Sequence, residues 1–247
     1  MKLYLNVPYA EKDEAKALGA RWNPRVKKWY VDTQPENYSK FSRWILRDTD
    51  EAMIALNYIY VIEAEQSCWK CGMVTPVIGL GIGEYINIYE EENKDKVFHD
   101  EPYEGKSTFE EEIHLAWASR EEDIPPRLLI YLKQNYFVRT QYSRTIRASC
   151  FANYCKFCGA LQGNWFLFDE PDSVLSSCVP DEETLVERMR NLKIKGIHIE
   201  DGLQLNWEVG YCARDNAYLK YGNYEEIILS ERPEGRGASY EELFMHQ

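Results

Sequence analysis

Two short cysteine knuckles constrain this chain more than any other feature: Cys68-Trp69-Lys70-Cys71-Gly72 and Cys155-Lys156-Phe157-Cys158-Gly159. A CxxC spacing lets two thiolates reach one ion, and a glycine directly after the second cysteine permits the tight turn that aims backbone N–H groups at the sulfurs. Two such half-sites complete one tetrahedral site. The sequence therefore predicts that residues 68 and 158 sit side by side around one structural zinc per chain, held by Cys68, Cys71, Cys155 and Cys158. Residues 73–154 become an insertion between the two halves of a zinc ribbon. Redox-active pairs and plain buried cysteines are the competing readings. A redox CxxC usually opens a helix in a βαβ pattern, whereas each pair here follows strand-like sequence and precedes glycine. A closed four-thiolate site has no coordination position for water, so the metal is expected to hold the fold and do no chemistry.

The chain has 247 residues, enough for one large domain or two small ones. No apolar run approaches membrane-spanning length, and the first residues lack the apolar core of a signal peptide, so a cytoplasmic protein without a membrane partner is expected. There all seven cysteines would be thiols or metal ligands. The net charge of -12 hides an asymmetry: residues 1–48 carry ten Lys or Arg against six Asp or Glu, and the remainder carries 19 against 35. A small basic module thus precedes an acidic body, 49–247, which repels nucleic acid over most of its surface. Any nucleic-acid contact has to be local.

Residues 2–7 alternate as a strand, Glu11 to Leu18 reads as a short helix with Gly19 at its C′ position, and residues 21–31 read as a hairpin turning at Asn23-Pro24. Each hairpin strand carries a tryptophan, Trp22 and Trp29. Residues 35–46 predict a second helix, with Tyr38, Phe41, Trp44 and Ile45 on one face. The sum is a compact βαββα unit. Its stretch LNVPYAEKDEAKALGARWNPRVKKWYV, residues 5–31, resembles the small bacterial domain of unknown function 5710, whose pattern is LxVPxxEKxxAKxLGARWxPxxKxWYV. The resemblance covers about a ninth of the chain. It implies a neighbourhood of plasmid and phage proteins attached to primase, exonuclease or mobilisation functions. Within the module Lys12, Lys16, Arg21, Arg25, Lys27 and Lys28 place cations around stackable rings, so these six are the candidate contacts to nucleic acid or to a protein partner. Both tryptophans are expected in the module's own core, and Trp22→Ala is expected to unfold it.

Further on, residues 49–56 read as helical or irregular, and residues 57–66 as a strand delivering Cys68. Gly79, Gly81 and Gly83 invite a phosphate-loop reading, but no Lys-Ser or Lys-Thr follows; alternating glycines in a strand mark bulges or close backbone approach. Residues 90–123 hold thirteen acids against four bases, the pattern of a solvated loop. Pro125-Pro126 starts a helix, and a strand carrying Arg139, Arg144 and Arg147 returns the chain to the ribbon. Those arginines suit either phosphate binding or a solvent face paired with the acidic loop, and the second is favoured. Cys150 lacks knuckle spacing, while Cys178 and Cys212 read as core or half-buried thiols. Residues 160–168 read as an apolar strand, 180–194 as an amphipathic helix, and two more strands follow.

Catalytic motifs are absent from the sequence: no HExxH, nucleophile elbow or Walker motif occurs. His114, beside Glu110 to Glu112, is the one place where a base and carboxylates crowd. The fold class expected is α+β, a βαββα module followed by a strand-rich split zinc ribbon with a large insertion. The function expected is non-catalytic: a zinc-binding accessory protein of a bacterial or mobile-element nucleic-acid process. An acidic protein-binding inhibitor or adaptor, and a metal-dependent hydrolase or nuclease with a scattered acidic centre, are the alternatives.

Overall fold

The computed structural model describes residues 1–46, 51–89, 112–170, 173–231 and 237–245. The chain opens with β1 (Lys2–Leu5), a 3-10 turn (Tyr9–Glu11), α1 (Lys12–Ala17), β2 (Arg21–Asn23) and β3 (Lys28–Asp32). These strands form an antiparallel sheet in the order β1-β3-β2, with Trp22 opposite Trp29. Gly19 closes α1 at φ 98, where a side chain would be strained, and its N–H reaches the Lys16 carbonyl. The helix expected over 35–46 is mainly 3-10, Pro35–Phe41, followed by the short α2 (Ser42–Ile45). Tyr38, Phe41 and Trp44 recur every third residue, which is the 3-10 repeat, and all three are buried. The result is the expected βαββα-like module.

The body follows with β4 (Glu51–Ala55), β5 (Tyr58–Ser67), β6 (Val74–Ile82), β7 (Tyr85–Tyr89), β8 (His114–Trp117), α3 (Pro126–Asn135), β9 (Val138–Ser143) and β10 (Ala148–Tyr154). Then come β11 (Leu161–Gln162), α4 (Asn164–Phe168), α5 (Glu182–Arg190), β12 (Lys193–His198), β13 (Leu203–Leu205), β14 (Glu208–Val209), α6 (Ala217–Tyr221), β15 (Asn223–Ile227) and α7 (Tyr240–Phe244). A six-stranded mixed sheet, β14-β8-β6-β5-β12-β15, is its centre. A three-stranded sheet, β13-β4-β7, and the small sheet β11-β10-β9 complete it.

Alternation along the central strands assigns their two faces. Ile59, Val61, Ile78 and Leu80 enter one buried cluster with residues of α3, β10 and α7, while Tyr60, Ile62 and Val77 enter another with residues of α5 and α6. Gly79 and Gly81 alternate with Ile78, Leu80 and Ile82 along β6. A Cβ on Gly81 would come within 2.6 Å of Ile113 Cγ2, so this glycine marks close approach rather than a phosphate loop.

The segment read as helical or irregular, 49–56, contains strand β4. Ala52 and Ile54 face the module's core while Met53 and Ala55 face the body's, so both faces are apolar and no period-two signal survives. Leu3, Trp29, Val31, Tyr38 and Trp44 share that core with Ile54 and Ile86, and backbone N–H of Gly202 donates to the Lys2 carbonyl. The module's apolar side is therefore covered by the β13-β4-β7 sheet.

Two further expectations change. The run read as an apolar strand at 160–168 is a strand only at β11, then turns at Gly163 into α4, which buries Leu167 and leaves Trp165 and Phe166 exposed. Cys178 and Cys212 are disulfide-linked, with Cα atoms 5.9 Å apart. Asp215 draws their loops together by accepting from Ser177 Oγ at 2.7 Å and from the Cys212 N–H at 3.0 Å, which brings the two cysteines within bridging distance. The acidic segment falls largely in 90–111, outside the described residues. Among the described residues no helix is long and apolar enough to cross a membrane.

Candidate metal centre

Each knuckle is the tip of a β-hairpin, the first joining β5 to β6 and the second joining β10 to β11. The two turns are built alike. The N–H of Cys68 donates to the Met73 carbonyl and that of Cys155 to the Ala160 carbonyl. Gly72 and Gly159 donate back to the carbonyls of Cys68 and Cys155, from φ values of 73 and 68 that explain the glycine after each second cysteine. This geometry leaves the N–H of Lys70 aimed at Cys68 Sγ and that of Phe157 aimed at Cys155 Sγ, both at 3.4 Å.

The hairpins bring the four sulfurs together. Cys68 Sγ is 3.7 Å from Cys158 Sγ, Cys71 Sγ is 3.7 Å from Cys155 Sγ, and all four lie within 4.8 Å of one another. Four sulfurs arranged tetrahedrally around zinc at about 2.3 Å would be about 3.8 Å apart. The spacing fits a shared ion and is far too long for a disulfide, which needs about 2.05 Å. Among the described residues this is the one group of three or more His, Cys, Asp or Glu side chains whose ligand atoms could share an ion. Cys150 stands apart on β10, its Sγ near the Gln141 carbonyl.

The thiols do not titrate alike. Burial raises the Cys68 thiol, but the N–H groups of Cys71 and Lys70 and the neighbouring thiols outweigh this and bring it down to about 6. Cys155 is likewise lowered against the opposing effect of burial, by the amides of Cys158 and Phe157. The Met73 amide favours the Cys71 thiolate, yet burial and the other three sulfurs push Cys71 up to about 12. Four thiolates at these distances repel, so full ionisation needs a cation among them.

Three residues that the sequence did not single out hold the halves in register. Asn153 is 1% exposed; its Nδ2 donates to the Ile78 carbonyl and its Oδ1 accepts from the Ile78 N–H, both at 2.8 Å. It serves as a one-residue strand partner for β6 beyond the end of β8. Thr75 Oγ1 accepts from the Lys156 N–H, and Gln162 Nε2 reaches Cys68 Sγ at 3.4 Å. Isolated Asn, Thr and Gln side chains carry no signal in sequence that could have found them.

The other candidates are dispersed. His114 is buried, with Nδ1 2.9 Å from Asp215 Oδ2, Nε2 3.9 Å from Glu112 Oε2, and its ring against Tyr85 and Tyr211. Glu110 and Glu111 lie outside the described residues. In the module, Lys16 Nζ lies over the Trp29 ring at 5.7 Å, Trp29 packs on Trp22 at 5.6 Å, and Lys12 covers Tyr9. Arg25 pairs with Glu241 at 3.2 Å, and Lys28, whose ammonium burial holds below its ordinary pKa, donates to Asn6 near Tyr240. Arg21 and Lys27 are exposed, with no ion-pair partner among the described residues. Trp29 is 8% exposed and Trp22 49%, so only Trp29 is the core residue expected of both.

No solved structure matches the chain. Two Escherichia coli proteins described as DNA primase TraC are similar to it: one is 50% identical over 44 residues, the other 51% over 41. Each match covers 17% of this chain but only 4% and 3% of those proteins, so the chain spans a small fraction of their length. Residues 2–45 match the family described as Domain of unknown function (DUF5710), and the amino-terminal module is thus a DUF5710-like segment joined to a strand-rich body with a four-cysteine cluster.

Proposed function

We propose that this is a non-catalytic, zinc-binding accessory protein of a bacterial or mobile-element nucleic-acid process. The four cysteines hold one zinc, which staples the β5–β6 and β10–β11 hairpins, and a closed tetrathiolate offers no site for substrate or water. The basic module contacts nucleic acid, or an enzyme that works on it, through residues drawn from Lys12, Lys16, Arg21, Arg25, Lys27 and Lys28.

The observation carrying the reading is that the segment similar to two DNA primases keeps exposed cations, Lys16, Arg21 and Lys27, on a module whose apolar side is already covered. A core does not need them. The test is binding of the full chain to labelled duplex and single-stranded DNA across ionic strength. Contact to phosphates gives affinity that falls steeply with salt, and Lys16→Ala/Arg21→Ala/Lys27→Ala lowers that slope by about two to three. A slope unchanged in this triple variant contradicts the assignment of the module. The cytoplasm is the expected compartment, where the Cys178–Cys212 pair would be held as two thiols.

A further inference from the structure

We propose that the zinc-knuckle arms form a second binding surface, a stacking platform for single-stranded nucleic acid, separate from the module. It takes from the reading above only the class of process; the surface itself is argued from the arms. Residues 66–76 and 136–168, which make up the two knuckle hairpins, β9 and α4, hold five cations and no acid, inside a body that carries 19 bases against 35 acids. All five, Lys70, Arg139, Arg144, Arg147 and Lys156, are exposed, and none has an ion-pair partner among the described residues. The acidic segment expected to pair with these arginines lies largely outside the described residues. A tetrathiolate zinc would add a net charge of about -2, which leaves the arms cationic.

Aromatic rings sit among these charges. Each knuckle displays one ring and one lysine from its two middle positions, Trp69 with Lys70 and Lys156 with Phe157. Trp69 is 71% exposed, yet its Nε1 donates to the Leu161 carbonyl of the opposite hairpin at 2.7 Å, so the ring is fixed with its faces open. Phe157 and Trp165 are also more than half exposed. Arg139 lies over the Tyr154 ring at 4.2 Å and donates to the Gly159 carbonyl, which places its charge beside the second knuckle. Exposed rings interleaved with cations match a base-and-phosphate polymer: every base offers a face for stacking and every phosphate a charge. Lys156 Nζ lies over one face of Phe157 at 4.8 Å, so each ring keeps a cation beside it; a purely acidic surface would use the cations alone, whereas a base-and-phosphate polymer uses both.

The test uses the full, zinc-loaded chain and a fluorescein-labelled oligothymidylate of about 20 nucleotides, followed by anisotropy. Trp69→Ala/Phe157→Ala is expected to weaken binding at least about tenfold with zinc content unchanged. Lys70→Glu/Lys156→Glu, at two exposed side chains, is expected to weaken it comparably and flatten its salt dependence. If both arm variants bind like the parent while Lys16→Ala/Arg21→Ala/Lys27→Ala abolishes binding, the proposal fails and the module reading stands. If the arm variants lose binding and the module variant keeps it, the proposal stands and the module reading fails. Displacement of the oligonucleotide by polyglutamate as readily as by unlabelled oligothymidylate overturns the proposal in favour of an acidic protein, and so does an absence of binding at low ionic strength.

Discussion

Replacing Asn153 with leucine keeps the branching and heavy-atom count of the side chain and removes the two hydrogen bonds it makes to Ile78 of the other knuckle hairpin. The Ile78 N–H and carbonyl point away from β5, beyond the end of β8, whose pairing with β6 covers only Leu80 to Ile82. No neighbouring strand can replace Asn153 there. Each of the two backbone groups left buried and unpaired costs about 1–3 kcal/mol, so Asn153→Leu should lose about 4 kcal/mol. In a chain of this size that corresponds to roughly 8–16 °C in melting temperature. The assay is urea unfolding of the zinc-loaded chain followed by far-UV circular dichroism, with zinc release measured in the same titration. Both transitions should move to lower urea together, because Asn153 holds in register the strands that deliver Cys68 and Cys155. A loss below about 1 kcal/mol would refute the reasoning, since it would mean that water or backbone movement satisfies Ile78 without the asparagine.

The two tryptophans of the module should separate cleanly. Trp29→Ala removes a buried ring from the core shared with Ile54 and should cost about 3–5 kcal/mol, whereas Trp22→Ala, at a half-exposed ring, should cost about 1–2; equal losses in urea titrations contradict the assignment. Metal retention should depend on pH in one direction. The Cys68 thiol is lowered to about 6, below its ordinary range near 9, so the thiolate's contribution is fully present above the ordinary value and is lost as pH falls through about 6. Protons compete with zinc for all four thiolates, so zinc should be released as pH falls, as read by a chromophoric chelator; release that increases with rising pH contradicts the sign.

The knuckles were legible because their information is local: cysteine spacing and the following glycine specify a turn whose φ values, 73 and 68, match that reading. The same holds for the hairpin around Asn23-Pro24 and for Gly19 closing α1. Where neighbours in space decide, the sequence falls silent. Strand β4 is apolar on both faces, so its periodicity names no element. Trp22 and Trp29 are cross-strand partners with the same residue type, and only the sheet packed against the module distinguishes the buried one from the exposed one. The pairing of Cys178 with Cys212 depends on Asp215, and the joining of the hairpins on Asn153; both are contacts between residues 34 or more positions apart, with no motif to announce them.

The most direct test of the account is the metal content of the full chain purified without chelator. One zinc per chain is expected, exchangeable for cobalt with the thiolate-to-metal absorption of a tetrahedral four-sulfur site. Cys68→Ser and Cys158→Ser should release the metal and destabilise the fold, because structural zinc contributes on the order of 10 kcal/mol of apparent binding free energy. Cys150→Ser should keep it, since that sulfur lies outside the cluster. Protein that carries no zinc and binds none when it is added, or zinc that survives loss of Cys68 and Cys158 but not of Cys150, would contradict the account.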